Sequence, residues 1–172
     1  MASLRIRIYG DACLREVAEP VDEIDDEIKE LAADMIEIMY ENSGIGLAAP
    51  QVGIGKRLFV ADTQEQEGPS PMVFINPSIR NQSGTSTMEE GCLSIPDVRE
   101  DVKRAESFDF EALDLEGNVV RFRADGLLGR VILHEVDHFE GKLFVDYLSP
   151  VKKIMVKDQL RALEKESLAA SS

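Results

Sequence analysis

The strongest pattern in the sequence is helical: apolar residues recur every three or four positions over the stretch 25–42. The repeating positions are Ile28, Leu31, Ala32, Met35 and Met39. Asp25 stands where an N-terminal cap accepts free backbone N–H groups, and Asn42-Ser43-Gly44 can end the helix. This stretch therefore predicts an amphipathic helix with one buried face.

Two further helices are predicted nearer the C-terminus. One runs over about 127–140, with Asp125 as its expected cap and Gly141 as its expected stop. The other covers about 149–166, since its serine–proline start suits a cap followed by proline in the first turn. The remaining tail, 167–172, is expected to fray.

The middle of the chain is rich in strand-forming residues. The stretches 57–63, 72–77 and 107–125 predict strands, and the last is a hairpin that turns at Glu116-Gly117-Asn118. The polar loop 64–71 between the first two strands is expected to be mobile. Helices at both ends around mostly antiparallel strands predict an α+β fold.

Composition limits what the chain can be. With 172 residues, of which 44% are hydrophobic and 30% charged, residues 1–172 are expected to form one globular domain with its own core. The formal net charge of −14 argues against binding nucleic acid through a general basic surface. We therefore expect no direct role on DNA.

The first twenty residues contain no continuous apolar run. Neither a secretory signal peptide nor a membrane span fits them, and no membrane partner is expected. A cytoplasmic location follows as the expectation, and in a reducing compartment Cys13 and Cys92 would stay free thiols.

The segment HEVDHFEG, residues 134–141, contains both histidines of the chain. His134 and His138 are four apart, so on a helix they lie one turn apart on the same face and can bind one metal ion. Glu135 lies between them, as a general base for a metal-activated water would. Catalytic metal sites usually have three protein ligands, so a third ligand is required.

Several residues could supply that third ligand. Proteins with HExxHxxGxxH use a third histidine, but here Gly141 is followed by Phe144 at that position. Glu164 and Glu166 are of a suitable type, although nothing around them distinguishes them. Cys92 lies in a turn-forming stretch, and although a lone cysteine is more often a small buried hydrophobe, an incomplete two-histidine site favours it as the ligand.

Five segments together carry a resemblance to a known family. GIGLAAPQ (44–51), EGCLS (90–94) and HEVDH (134–138), in this order and spacing, closely resemble the three signature motifs of peptide deformylases. GDACLREVA (10–18) and GKLFVDYLS (141–149) are also similar to that family. The resemblance covers about the whole chain, and it implies a fold built around a central HExxH metal-binding helix.

The resemblance implies a metal-dependent hydrolase. Its members remove the N-formyl group from the N-terminal formylmethionine of newly made polypeptides and release formate. By this resemblance Cys92, His134 and His138 hold one divalent ion, natively Fe(II) most commonly, which Zn(II), Ni(II) or Co(II) can replace. A metal hydroxide would attack the formyl carbon, with Glu135 as general acid and base.

Further site residues follow from the same resemblance. The side-chain amide of Gln51 and the backbone N–H of Leu93 would stabilise negative charge on the formyl oxygen, although the residues alone favour an exposed loop glutamine. The implied substrate-binding residues are Gly44, Ile45, Gly46, Gly91, Arg99 and Val131. The glycines would face an extended peptide backbone, whereas Ile45, Val131 and His134 would form a methionine pocket with Arg99 near its rim.

Three residues depart from the family pattern. Leu133 stands where glutamine is usual, Gly129 where alanine is common, and Phe139 where leucine is common. Leu133 removes a potential hydrogen bond next to the site, and Gly129 is expected to weaken its helix by up to about 1 kcal/mol. Asp137 is expected to support the site through a salt bridge and not to bind metal.

The predicted C-terminal helix carries five basic and three acidic residues between 149 and 166, a local charge of +2 in a chain of −14. The resemblance matches it to a helix that docks on ribosomal RNA and protein near the exit tunnel in bacterial members, so the ribosome is an expected partner besides the nascent polypeptides. The alternative is a solvated charged face beside a packed apolar stripe. That stripe would consist of Val151, Ile154, Met155 and Leu160.

Two other functions compete with this interpretation. A general metallopeptidase shares HExxH but leaves the GIGLAAPQ and EGCLS segments unexplained. A structural-metal protein, or a formyl-peptide-binding protein without turnover, has no need of Glu135 or of an open coordination position.

Overall fold

A computed structural model of the chain describes residues 4–171. Three α-helices lie within that range: α1 (Asp26–Glu41), α2 (Gly126–His138) and α3 (Pro150–Ser171). Short 3-10 helices cover Ala12–Arg15, Ala49–Val52 and Phe144–Tyr147. The three α-helices correspond to the three predicted helices, two from apolar periodicity and the third from its serine–proline start. No helix in residues 4–171 combines the length and the apolar content needed to cross a membrane.

The described residues also contain seven strands in two antiparallel sheets. The strands are β1 (Gly46–Ala48), β2 (Leu58–Ala61), β3 (Met72–Ser83), β4 (Ser86–Cys92), β5 (Ile95–Arg104), β6 (Ser107–Leu113) and β7 (Val119–Ala124). One sheet has the order β1-β2-β3-β6-β7, and β4 and β5 form a separate two-stranded sheet. This confirms the predicted α+β class with antiparallel sheets.

The predicted strands are present, and the β6–β7 hairpin turns where expected, with Gly117 at a φ of 81°. Strands β1, β4 and β5 were not among the predictions. In β5 the buried positions Ile95, Val98 and Val102 are three and four residues apart. This is the spacing of a helix, so the apolar periodicity does not indicate a strand here. The stretch around Cys92 is predicted to form turns, but only the two residues between β4 and β5, 93 and 94, do so.

Helix α1 begins at its predicted cap, where the Asp25 carboxylate accepts a hydrogen bond from the backbone N–H of Ile28 (3.0 Å). Its buried residues are Ala32, Met35 and Met39, which pack into a cluster with β1 and β2. Ser43 then adopts a φ of 57°, and the chain turns directly into β1. The end of α1 thus sets the start of the glycine-rich segment.

Helix α2 packs against β1, β2 and β6 through an apolar core that includes Val131 and Ile132. Phenylalanines of the sheet and of the chain after the helix fill this core: Phe59, Phe74, Phe108, Phe110 and Phe139. Leu133 and Phe139, two of the residues that depart from the family pattern, are both buried there, so apolar side chains suit these positions. The predicted cap of α2 is wrong in one respect, because the Asp125 side chain makes no capping hydrogen bond.

Helix α3 differs from its prediction in length and in orientation. It continues to Ser171, beyond the predicted end at about 166, and residue 172 lies outside the described residues. The apolar stripe expected to pack is wrong for three of its four residues, because Val151, Ile154 and Met155 are 68–72% exposed, and only Leu160 packs against the core. The buried face consists of Val156, Leu163 and Ser167, spaced seven and four residues apart. It packs against β5 and the segment around Phe144.

Candidate metal centre and active site

Strand β4 and helix α2 bring three metal-binding side chains together. Cys92 is the last residue of β4, and the β4–β5 register shifts between Gly91 and Cys92, a bulge of the kind that redirects a side chain. His134 and His138 lie one turn apart on α2. One ligand atom from each of the three residues lies within 4.8 Å of the others, with 3.7 Å between Cys92 Sγ and His138 Nε2.

The surroundings of these atoms fit a divalent metal. His134 Nδ1 is engaged by Glu90 Oε1 at 2.8 Å, which leaves Nε2 free to coordinate. The Nε2 atoms of His134 and His138 lie 4.0 and 3.9 Å from the two carboxylate oxygens of Glu135. One thiolate and two imidazoles are a donor set that zinc and iron-group ions accept.

Glu135 is buried, and its Oε2 has no hydrogen-bond partner within residues 4–171. Burial raises the pKa of this carboxyl to about 7, while the adjacent His134 acts in the opposite direction. An unpaired carboxylate oxygen in a buried site is costly unless something binds there. Its position beside the two histidines suits a water that exchanges protons with it.

Gln51 also faces the centre. Its Nε2 lies 3.3 Å from Cys92 Sγ and 3.1 Å from Ser94 Oγ, and its Oε1 accepts a hydrogen bond from the backbone N–H of Ala48 (2.9 Å). The side chain is 1% exposed, so the interpretation as an exposed loop glutamine is wrong. Pro50 in the first turn of the 3-10 helix Ala49–Val52 stiffens the approach to it.

A buried ionic network supports His134. Glu90 Oε1 binds His134 Nδ1 and Arg104 Nη2 (2.9 Å), and Glu90 Oε2 binds Arg104 Nε (2.6 Å) and Arg130 Nη1 (2.9 Å). Burial favours the neutral acid, but hydrogen bonds from Arg104 and His134 outweigh it and hold the pKa of Glu90 far below its usual range. Arg104 also binds Asp137 (2.7 Å), which confirms the salt-bridged role expected of Asp137.

The sequence alone assigns no role to Glu90, Arg104 or Arg130. The one signal for Glu90 is its position two residues before the candidate ligand Cys92. Arg130 likewise lies one helical turn before His134. Neither signal distinguishes a buried ion pair from a solvated one.

A cleft of about 650 Å³ opens beside the centre. Among its lining residues are the candidates Gly44, Ile45, Gly46, Gly91, Cys92, Leu93, Arg99, Val131, His134 and Glu135. A Cβ on Gly46 would lie 2.8 Å from both Glu135 Oε1 and Val131 Cγ1, and one on Gly91 would lie 2.6 Å from Arg99 Nη1. Close approach favours glycine at position 46, where Glu135 and Val131 are buried, whereas the exposed Arg99 side chain could move away from a Cβ at position 91. Arg99 pairs with Glu89 at the exposed rim (2.7 Å).

The rejected third ligands lie elsewhere. Glu164 and Glu166 are exposed on α3, and Glu164 lies against Gly10. Phe144, at the position where some HExxH proteins have a third histidine, is buried with its ring stacked 6.1 Å from that of His134. Within residues 4–171 the Cys–His–His group is the one set of such side chains close enough to hold a metal.

Comparison with known proteins agrees with the site. The family model of polypeptide deformylase matches residues 3–154. A peptide deformylase of Alkalilimnicola ehrlichii is 49% identical over 166 residues, which are 96% of this chain and 93% of the relative. Crystal structures of peptide deformylases from Legionella pneumophila and Plasmodium falciparum match with TM-scores of 0.88 and 0.92, at 39% and 36% identity.

The match extends over whole molecules. The Legionella structure covers 99% of this chain and 99% of its own, and the Plasmodium structure covers 98% and 99%. Sequence identity, fold and a Cys–His–His group able to hold a metal all lead to one assignment. The chain belongs to the peptide deformylase family of metal-dependent enzymes, which remove N-formyl groups from nascent peptides.

Proposed function

We propose that the chain hydrolyses the formyl amide of N-terminal formylmethionine, with formate and the free amine as products, at the centre formed by Cys92, His134 and His138. The observation that carries this proposal is Glu135: a buried carboxylate with an unpaired oxygen, within 4.0 Å of both histidine Nε2 atoms and at the wall of the cleft. A purely structural metal site has no use for such a group.

The ligands would be the sulfur of Cys92 and the Nε2 atoms of His134 and His138. We propose Fe(II) as the native ion, with Zn(II), Ni(II) and Co(II) as substitutes, since all accept thiolate and imidazole. When bound, such an ion supplies Lewis acidity, which lowers the pKa of water and polarises a carbonyl.

Glu135 moves the proton. It accepts one from the attacking water as the oxygen bonds to the formyl carbon, and it delivers a proton to the amine nitrogen as the C–N bond breaks. A buried carboxylate with one unpaired oxygen next to the reacting atoms can transfer a proton in both directions. The low dielectric of the buried site also strengthens the electrostatic interactions of Glu135 with the reacting atoms.

Gln51 and Leu93 stabilise the negative charge that develops on the formyl oxygen. The Gln51 carbonyl oxygen is already committed to Ala48 N, so its amide N–H group is oriented toward Cys92. Leu93 directly follows Cys92, so its backbone N–H is close to the same centre. Donors that are positioned before the reaction need no reorganisation in the transition state.

The cleft accepts the peptide. Gly44, Gly46 and Gly91 admit an extended backbone close to the wall, and Ile45 and Val131 supply apolar surface for the methionine side chain. Arg99 at the rim would contact residues further along the peptide.

The proposal is tested by formate release. Wild-type protein loaded with Fe(II) without oxygen should convert formyl-Met-Ala-Ser to Met-Ala-Ser with one formate per free amine. A general metallopeptidase would instead cut internal peptide bonds, and a binding protein would release nothing. Either of these results, with metal bound to the protein, would overturn the proposed reaction.

For α3 we propose docking on the ribosome through its basic outer face. Lys153, Lys157 and Arg161 are exposed beside exposed Ile154 and Met155. Attraction between these cations and phosphates would give a weak, salt-sensitive contact. Truncating the helix is a poor test, because its buried face belongs to the core around β5.

Charge reversal is a better test. Lys153→Glu with Lys157→Glu should abolish low-salt co-sedimentation with ribosomes while formyl-peptide turnover stays unchanged. The matched control reverses the exposed Lys29 and Lys103 on other elements. Equal loss of co-sedimentation in both double variants would mean that net charge, and not α3, governs binding.

A further inference from the structure

Arg130 is a buried arginine on α2, one helical turn before His134. Its Nη1 donates to Glu90 Oε2 (2.9 Å) and to the carbonyl of Val102 (2.8 Å). Its Nη2 donates to the carbonyl and the hydroxyl of Ser86 (2.9 and 2.8 Å). One guanidinium thus joins α2 to both strands of the β4–β5 sheet.

This link is important because the candidate ligands lie on separate parts of the fold. Cys92 is on β4, whereas His134 and His138 are on α2. Within residues 4–171 the β4–β5 sheet shares no strand pairing with the five-stranded sheet against which α2 packs. The relative position of the sulfur and the imidazoles therefore depends on side-chain contacts such as those of Arg130.

Arg130 also fixes the direction of the Glu90 carboxylate. Arg104 binds both oxygens of Glu90, and Arg130 adds a second donor to Oε2. Glu90 Oε1 is thereby left to accept from His134 Nδ1 (2.8 Å). A carboxylate on Nδ1 determines which ring nitrogen carries the proton and which one faces a metal.

We propose that Arg130 is a positioning residue for metal binding: through Glu90 and the β4–β5 backbone it holds His134 and Cys92 in the geometry that one ion requires. The inference rests on the proposed metal centre. Arg130 also lines the cleft, so catalytic constants alone would mix its effects on metal and on substrate. Metal affinity without substrate separates them.

The probe is Co(II), whose absorption bands report coordination geometry and thiolate ligation. Co(II)-loaded wild type, Arg130→Met, Arg130→Lys and Ser86→Ala are titrated with a chelator of known affinity. Ser86→Ala is the matched control, because it removes one hydroxyl contact of Arg130 and keeps the contact with Glu90.

Arg130→Met should weaken Co(II) binding about tenfold or more and shift the absorption bands, as loss of a residue that orients a ligand does. Arg130→Lys keeps the charge but cannot make the two-pronged contacts of a guanidinium. Its Co(II) affinity should therefore lie between the affinities of Arg130→Met and wild type. Ser86→Ala should match wild type. If Arg130→Met does not fold, Arg130→Lys decides the question.

Wild-type affinity and spectrum in Arg130→Met, or in Arg130→Lys where methionine is not tolerated, would overturn the positioning role and leave the metal centre intact. An equal loss of affinity in Ser86→Ala and Arg130→Met would also overturn it, since Glu90 would then be irrelevant. Failure of wild type to bind Co(II), or equal binding by Cys92→Ser, would instead overturn the proposed metal centre together with this inference.

Discussion

Gln51 Nε2 lies 3.3 Å from the sulfur of Cys92. If this amide stabilises charge on the formyl oxygen, Gln51→Ala should lower kcat by about 100- to 1,000-fold, the usual cost of removing one such donor. Metal content should stay at the wild-type level, since Gln51 is not a ligand. Ser94→Ala, which removes the other partner of the same nitrogen, is the control and should have a much smaller effect on kcat.

Replacing Glu135 with glutamine should abolish proton transfer while preserving size and fold. We expect formate release to fall about 100- to 10,000-fold, the range that general acid–base catalysis contributes. Metal content measured by elemental analysis should be unchanged, because Cys92, His134 and His138 remain. Near-wild-type turnover by Glu135→Ala would show that another group moves the proton.

The two cysteines should differ sharply as ligands. Cys92→Ser should bind metal far more weakly, whereas Cys13→Ser should leave metal content unchanged. Burial raises the pKa of the Cys13 thiol to about 12, and its sulfur lies 3.5 Å from the carbonyl of Pro50, so it stays a protonated thiol. Similar metal loss in both variants would contradict the assignment of Cys92.

Gly129→Ala should stabilise the protein. A Cβ at this helical position would lie 3.4 Å from the carbonyl carbon of Ala124 and 3.5 Å from the Phe108 ring, which is ordinary contact. We expect a gain of about 0.5–1 kcal/mol in the free energy of unfolding, or a Tm rise of about 1–4 °C.

Gly141→Ala is the control for Gly129→Ala. Here φ is 71° and a Cβ would lie 2.5 Å from the carbonyl oxygen of Arg15, so alanine should destabilise the fold. Stabilisation by alanine at both glycines would mean that unfolded-chain entropy alone decides the outcome.

Asp62 should contribute an acid-sensitive part of the stability. Its buried carboxylate accepts a hydrogen bond from the Tyr40 hydroxyl (2.6 Å) and one from the backbone N–H of Ser70 (2.9 Å), and these lower its pKa in the folded state. A lowered folded pKa gives stability that is present above the unfolded pKa of about 4 and is lost as pH falls through the folded value.

Tyr40→Phe should therefore cost about 1.5–3 kcal/mol of unfolding free energy at pH 6, the range for a hydrogen bond to a charged group. The difference from wild type should shrink below about pH 4, as Asp62 becomes protonated. Urea unfolding of both proteins at a series of pH values from 6 downwards measures the cost at pH 6 and its decrease below pH 4. A difference that does not change with pH would contradict a role for the Asp62 charge.

Local chemistry explains which elements were predictable from sequence. Helix α1 has its apolar period, its Asp25 cap and its terminating turn within twenty consecutive residues, and each was found where expected. The histidine pair follows from helix geometry alone, because positions four apart share a face. For Cys92 the residues gave a preference, and the family motifs strengthened it.

Features that depend on distant parts of the chain were missed. Glu90, Arg104 and Arg130 meet only because β4 pairs with β5 and α2 lies across them, and isolated charged residues are usually solvated. In α3 the exposed apolar residues Val151, Ile154 and Met155 are as numerous as those that pack, Val156, Leu160 and Leu163, so periodicity alone cannot select the buried face. Packing against β5 and the segment around Phe144 decides which face is buried.

The division of ligands between β4 and α2 has a consequence for the unfolded chain. An ion held by Cys92 and His134 would join two positions that are far apart in sequence. Bringing these positions together costs loop-closure entropy on folding, and the free energy of binding the ion to the folded state would offset part of that cost. The apparent free energy of unfolding then rises with the logarithm of free metal concentration above the dissociation constant. Cofactor supply thus becomes a thermodynamic variable of folding as well as of activity.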